Sequence, residues 1–251
     1  MDRTINKMSR RCAGLVVIAS LLVAVLPARG ALPFASVEIL RPILARMLGD
    51  PPQMRLDVVP DVYEGGYARI SMYAQGAGVG GMRIDEVWIR LVGASFDPAE
   101  LRRGTLKVLQ LRDSAVFGRL NLQNIEAFLK QQGTIKDVRL ARDEDLVVAT
   151  GTLMLNGVPA QVRLKGLFQV YGEPEIRFHI QALVVNGLPM PYVLVERLEQ
   201  QLNPVVDFRS WPVPFKIRSF RNSQGGFVLS SQRDFSQPCK DCGGPELRLT
   251  P

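Results

Sequence analysis

Three groups of residues have types and spacings that could do chemistry. The first is a set of glycines. The stretch "YAQGAGVGGMRID", Tyr73 to Asp85, places Gly76, Gly78 and Gly81 in the spacing G-x-G-x-x-G. An apolar run from Tyr67 to Ala74 precedes it, and Asp97 lies 21 residues past the first glycine. In a dinucleotide-binding unit such glycines let the backbone approach a pyrophosphate, which rests on the N-terminus of the helix that follows. Here the following sequence is "RIDEVWIRLVG". Val87, Ile89 and Leu91 alternate with Glu86, Trp88 and Arg90, which is a strand period. Without the helix there is nothing to hold the phosphates, so Gly76–Gly81 is expected to be a flexible connection between strands.

The second group is Cys239 and Cys242 in "QPCKDCGGPE". Two thiolates fall short of the four ligands of a structural zinc site. The pair sits in a Pro/Gly-rich tail, whereas a thioredoxin-type C-x-x-C opens a helix. A local disulfide is the plain expectation in an oxidising compartment, with a thiol redox pair or metal ligation as the alternatives. The third is His179, the one histidine of the chain, between Arg177 and Gln181 on the wet face of a strand-like run. A catalytic histidine needs a pocket and an orienting partner, so the simple reading is an exposed sheet residue. Acids at Asp143–Asp145 and near Asp61–Glu64 read as solvated turns. Neither G-x-S-x-G nor H-E-x-x-H occurs. The residues nominate no catalytic group, no metal and no cofactor, and the chain is read as a non-enzyme.

The N-terminus carries Arg3, Lys7, Arg10 and Arg11, then the apolar run Cys12–Leu26, then Ala28-Arg29-Gly30. A positive region, an apolar region and a small-x-small site form a secretory signal over 1–30. The run has 15 residues, and a spanning helix takes about 18 or more. An uncleaved anchor is the alternative. Secretion places the protein in the periplasm or elsewhere in the cell envelope. The whole chain is +7, but residues 1–30 hold five basic residues and one acid, so the remaining 26 basic and 23 acidic residues leave +3. That is weak for a nucleic-acid binder and sufficient for mild attraction to anionic lipid.

The remaining sequence reads as one domain. "ASVEILRPILARMLG" puts Val37, Leu40, Leu44 and Leu48 at helical spacing, with Pro42 as a candidate start and Gly49 as the stop. "DPAELRRG" reads as a short helix capped by Asp97. "NLQNIEAFLKQQG" reads as a helix capped by Asn121, ended by Gly133, and apolar at Leu122, Ile125, Phe128 and Leu129. "MPYVLVERLEQQLNP" reads as another, carrying Val193, Leu194, Leu198 and Leu202. Most of the rest alternates. Val162, Leu164, Phe168 and Val170 share a face, as do Ile176, Phe178, Ile180, Ala182 and Val184. Asn156-Gly157 and Asn186-Gly187 supply tight turns, and "VPFKIRSF" with "GGFVLSS" closes the sheet as a hairpin. One wet face and one apolar face describe antiparallel strands. Apolar faces of this kind serve a packed core or a lined cavity equally well, because both need inward apolar residues.

The order of "IDEVWIRLVGASFDPAELRRG", "RLNLQNIEAFL", "LVVATGTLMLNGVPAQVRLKGLF", "VNGLPMPYVLVERLEQQLNP" and "PFKIRSFRNSQGGFVLSS" resembles the LmeA-like family of secreted bacterial phospholipid-binding proteins, formerly a domain-of-unknown-function family. The resemblance covers about residues 35–232 and implies an LmeA-like domain over 31–232; the chain departs from the family in its Pro/Gly/Cys tail over 233–251, which is expected to be poorly ordered. It implies an α+β fold, a strongly curved antiparallel sheet wrapped around one or more amphipathic helices in the manner of tubular lipid-binding proteins. It also implies non-enzymatic binding, or transfer, of phospholipid at a membrane surface. On that expectation the acyl chains lie against Leu40, Leu44, Ile89, Leu91, Leu164, Phe168, Phe178 and Ile180, each on an apolar face. Arg102, Arg103 and Lys107 are weaker candidates for phosphate. An envelope scaffold with a filled core and a thiol oxidoreductase using Cys239 and Cys242 are the rival readings.

Overall fold

The computed structural model describes residues 37–231 apart from 64, 156, 210 and 224. The expected signal over 1–30, the tail over 233–251 and the pair Cys239 and Cys242 lie outside the described residues, and so does Asn156. Helix α1 spans Val37–Met47 and strand β1 Gln53–Pro60. Strands β2 (Gly66–Val79) and β3 (Met82–Phe96) form a long hairpin, and α2 (Pro98–Arg102) leads into β4 (Val108–Asn121). Helix α3 (Leu122–Gln132) is followed by β5 (Lys136–Asp143), β6 (Leu146–Leu155), β7 (Val158–Tyr171), β8 (Glu175–Val185) and β9 (Leu188–Pro189). Helix α4 (Tyr192–Leu202), β10 (Val206–Asp207), β11 (Ser219–Ser223) and β12 (Gly226–Ser230) complete the order.

The fold is α+β, with its strands in two antiparallel sheets. One has the order β1-β2-β3-β4-β12-β11 and the other β10-β8-β7-β6-β5, with β9 beside β8. The chain crosses from the first sheet to the second through α3 and returns with β11. Phe168 of β7 is a junction between them. Its ring centroid lies 5.0 Å from Phe178 and 5.0 Å from Phe227, and 5.4 Å from Phe220. These are separations at which tilted and edge-on aromatic pairs attract.

The capping chemistry is as the sequence predicts. Asp97 accepts from the Ala99 N–H at 2.9 Å, Pro98 opens α2, and Gly104 follows it at φ +77°. Asn121 accepts from the Asn124 N–H at 2.7 Å, and Gly133 ends α3 in the left-handed region. A partner that the sequence does not reveal is Asp85. Its carboxylate accepts from the Asn121 N–H and the Asn121 side-chain amide, both at 2.6 Å, and from the Asn124 amide at 2.9 Å. This ties β3 to the start of α3. Burial pushes the Asp85 carboxyl up, against those hydrogen bonds.

Five expectations change. Pro42 lies inside α1, not at its start. Pro42 and Glu38 are both exposed, so the carbonyl that loses its helical partner faces water. Gly76 and Gly78 belong to β2, and the connection to β3 is only Gly80-Gly81, at φ +57° and +85°. Two positive φ values make the tight hairpin turn that suits twisted strands. Gly78 has a packing reason as well. Its N–H donates to the Leu48 carbonyl at 2.7 Å, and a Cβ added at Gly49 would sit 3.2 Å from the Gly78 Cα. These glycines let the end of α1 approach the backbone of β2.

On β8 the alternation slips. A bulge shifts the β7–β8 register at Lys165/Gly166, where Ala182 pairs with Lys165 and Ile180 with Gly166. The extra residue moves the buried face to Leu183 and Val185, leaving Ala182 exposed and Val184 half-buried. On α4 the buried residues are Val195 and Leu198 rather than Val193 and Leu194. Residues 213–218 alternate in burial as a strand does but join no ladder, so the final hairpin begins at Ser219.

The first sheet also departs from a single apolar face. Trp88 points away from the main core yet is 2% exposed. It packs with Tyr73, Phe117 and Val228 in a second cluster. Tyr73 and Phe117 flank it across the strands, with ring centroids at 5.0 and 5.4 Å. Arg119 stands 5.9 Å over the indole and pairs with Glu86 at 3.2 Å, and Glu86 accepts from the Tyr73 hydroxyl at 2.9 Å. Burial and then the Glu86 carboxylate push the Tyr73 phenol from 10.0 up to about 12. Its protonated form is therefore favoured by folding. This stabilisation is complete below pH 10.0 and is lost as the pH rises towards 12. Burial also raises the Tyr67 phenol, so phenolate absorbance is expected to show a late phase from both tyrosines, whose amplitude Tyr73→Phe lowers. An unchanged late phase in the variant would assign it elsewhere.

Candidate functional site

All eight residues nominated for an acyl-chain lining fall in one buried cluster. Leu40 and Leu44 come from α1, Ile89 and Leu91 from β3, Leu164 and Phe168 from β7, and Phe178 and Ile180 from β8. Their exposure runs from 0% at Leu40 to 9% at Phe168. The cluster continues without interruption through α3 at Ile125 and α4 at Leu198, so one apolar interior serves both sheets. Burial of such side chains contributes about 1.5–3 kcal/mol each, which makes the cluster the main source of stability.

Two surface clefts lie outside this cluster. The first holds about 490 Å3 between α4 and the wet face of β7 and β8. Phe178 is the one nominated residue on its wall. His179 is half exposed, as expected, but it has a partner. Its Nδ1 lies 3.1 Å from Glu199 Oε1, and Glu199 also accepts from the Ile180 N–H. Asn203 donates to the Phe178 carbonyl and accepts from its N–H, at 3.0 and 2.7 Å. Glu199 and Asn203 thus fasten α4 to β8, and the His179 contact belongs to that fastening. The surrounding wall has Gln169, Tyr171, Arg177 and Tyr192, with the Arg177 guanidinium 3.9 Å from the Tyr171 ring centre. These side chains do not form a nucleophile–base pair.

The second cleft holds about 660 Å3 at one edge of β4, and its described walls include Arg90, Arg112, Asp113, Lys216 and Arg218. This cationic group is absent from the sequence reading, which weighs Arg102, Arg103 and Lys107 instead. Arg103 and Lys107 are already paired, with Glu100 at 2.9 Å and Asp97 at 3.5 Å. The available signal was the segment 213–218, where Lys216 and Arg218 alternate with the buried Val213, Phe215 and Ile217. Among the described residues no group of His, Cys, Asp and Glu could hold a metal ion. Comparison with protein-family models, with curated proteins and with solved structures finds no match. The site therefore rests on its own geometry.

A third surface feature is apolar. Met154, Val158, Leu188, Tyr192 and Val193 are all exposed. Met154 pairs with Pro159 across the β6–β7 hairpin, and Leu188 pairs with Val185. Gln161 near the start of β7 exchanges hydrogen bonds with Asn186, at 2.9 and 2.8 Å, which brings the β6–β7 and β8–β9 turns together. The turns and the start of α4 put these side chains at one end of the second sheet. No helix among the described residues is long and apolar enough to cross a membrane.

Proposed function

We propose that this chain is a non-enzymatic phospholipid-binding protein of the bacterial cell envelope, an LmeA-like protein in which acyl chains lie within the apolar interior. The observation that carries the reading is the convergence of α1, β3, β7 and β8 on one continuous apolar cluster. Tubular wrapping of the sheets around a helix belongs to the same proposal. The exposed apolar end of the second sheet supports contact with a membrane surface, since grouped exposed side chains of this kind mark interaction sites. The signal-like segment over 1–30 supports export, and the motif order of the sequence supports the lipid ligand.

One observation favours a second reading. The eight residues are nearly inaccessible, and Phe168 packs directly against aromatic rings of both sheets. An envelope interaction protein with a packed core has these properties. Mass spectrometry of an organic extract separates the two. Protein recovered from the secretory compartment is expected to carry near-stoichiometric phospholipid. An extract that stays empty after incubation with labelled vesicles overturns the lipid reading in favour of the packed scaffold.

A further inference from the structure

The cleft at the edge of β4 is not used by an acyl-chain site. Strand β12 pairs with β4 only over Phe117–Asn121. Before Phe117 that edge of β4 carries no other strand among the described residues. The segment 213–218 runs past it, held by the Ser114 hydroxyl donating to the Pro214 carbonyl at 3.0 Å and the Arg218 N–H donating to the Ser230 carbonyl at 2.9 Å. Val116 turns its own N–H and carbonyl to Ser231. Alternation along an antiparallel strand therefore aims the N–H groups of Ser114 and Arg112 at the same edge, which no described strand covers.

Four cationic side chains border this edge, with Asp113 as the one carboxylate among the described lining residues. Asp113 lies 3.9 Å from Arg90, and Lys216 lies 3.2 Å from Glu173. Arg112 and Arg218 have no carboxylate at ion-pair distance among the described residues. Two guanidinium forks, strand-edge N–H groups and a concave wall are the donors that a tetrahedral oxyanion uses.

We propose that this cleft is an anion site that takes a phosphate group, either the diester of a lipid headgroup or a soluble phosphate ester. The guanidinium groups of Arg112 and Arg218 grip the oxygens in pairs, and Lys216 and Arg90 supply a positive field. The assignment stands on the cleft alone and does not need acyl chains in the interior.

The test uses the whole protein and compares Arg112→Gln/Arg218→Gln with a charge-matched control, Arg139→Gln/Arg163→Gln, on the second sheet. Inorganic phosphate and glycerol 3-phosphate are titrated by calorimetry at low salt. Vesicles of phosphatidylglycerol with phosphatidylcholine, and of phosphatidylcholine alone, are followed by sedimentation. The cleft pair is expected to weaken binding about tenfold or more, as losing charge-assisted hydrogen bonds does, while the control stays within about twofold of wild type, as loss of exposed charge does. Arg112→Lys/Arg218→Lys, which keeps the charge and removes the forks, is expected to fall between them. Binding of the soluble probes identifies a free phosphate ester as the source, and binding of phosphatidylglycerol vesicles alone identifies the headgroup. No binding by any probe overturns the proposal. So does an unchanged affinity in the cleft pair, or an equal loss in both pairs, which is diffuse attraction. An empty organic extract beside intact phosphate binding overturns only the acyl-chain reading.

Discussion

Gly166→Ala is expected to lower the free energy of unfolding by about 3 kcal/mol, the upper range for forced overpacking. A Cβ at this position would lie 2.2 Å from the His179 carbonyl oxygen and 2.9 Å from Phe178 Cζ. The first atom is backbone and cannot swing aside. The site is also where the β7–β8 register slips, so relieving the clash means displacing β8 along with Phe178 and Ile180. A comparison variant isolates the effect. Gly80→Ala has an unfavourable φ of +57° but nothing within 4 Å of the added carbon, so only the left-handed conformation resists it, at about 1–2 kcal/mol. Urea denaturation of the two variants checks the ordering. Equal midpoints would mean that β7 and β8 do not approach this closely.

Trp88→Ala is expected to cost about 3–5 kcal/mol, the range for a large buried aromatic. The sequence argues otherwise. Trp88 alternates with Val87 and Ile89, beside Glu86 and Arg90, which is a solvent-face position where truncation costs about 0.5 kcal/mol or less. Thermal or chemical unfolding therefore discriminates sharply. A loss near zero would place the indole in water and dissolve the second aromatic cluster. Trp88→Phe is expected to recover part of the loss, because an edge-on contact with Phe117 survives the change.

Trp88 marks the limit of what alternation can say. The period assigns each residue to a face and is silent on whether that face is covered. The sequence shows the helices with their caps at Asp97 and Asn121, because those signals are local and side-chain oxygens at N-caps act within three residues. It also separates inward Leu164 and Phe168 from outward Arg163 and Gln169. The bulge opposite Gly166 escapes it because Ala182, Leu183, Val184 and Val185 are all apolar and fit either phase of the alternation. Val193 and Leu194 mislead it because an apolar residue on a short helix can face either way. Two sheets read as one because hydrogen-bond partners among distant strands are not written in local pattern.

The candidate site divides in the same way. The apolar residues are legible one element at a time, and their convergence in a single cluster follows from inward faces having one interior to share. The cationic cleft was not legible. Arg112 and Arg218 sit in strand-like sequence where charge ordinarily marks a solvated face, and only the return of the last hairpin to β4 brings them together.

That return has a consequence for the order in which the molecule can form. Val116 bonds to Ser231, 115 residues later in the chain, and the whole second sheet is encoded between them. At about 5–20 residues per second, several seconds of synthesis separate β4 from the hairpin that covers its edge. Through that interval Phe168 lacks Phe220 and Phe227, and the first sheet lacks two strands. Non-local pairings of this span also close slowly. The first sheet therefore cannot be completed ahead of the second, because two of its six strands are the last of the described strands in the chain.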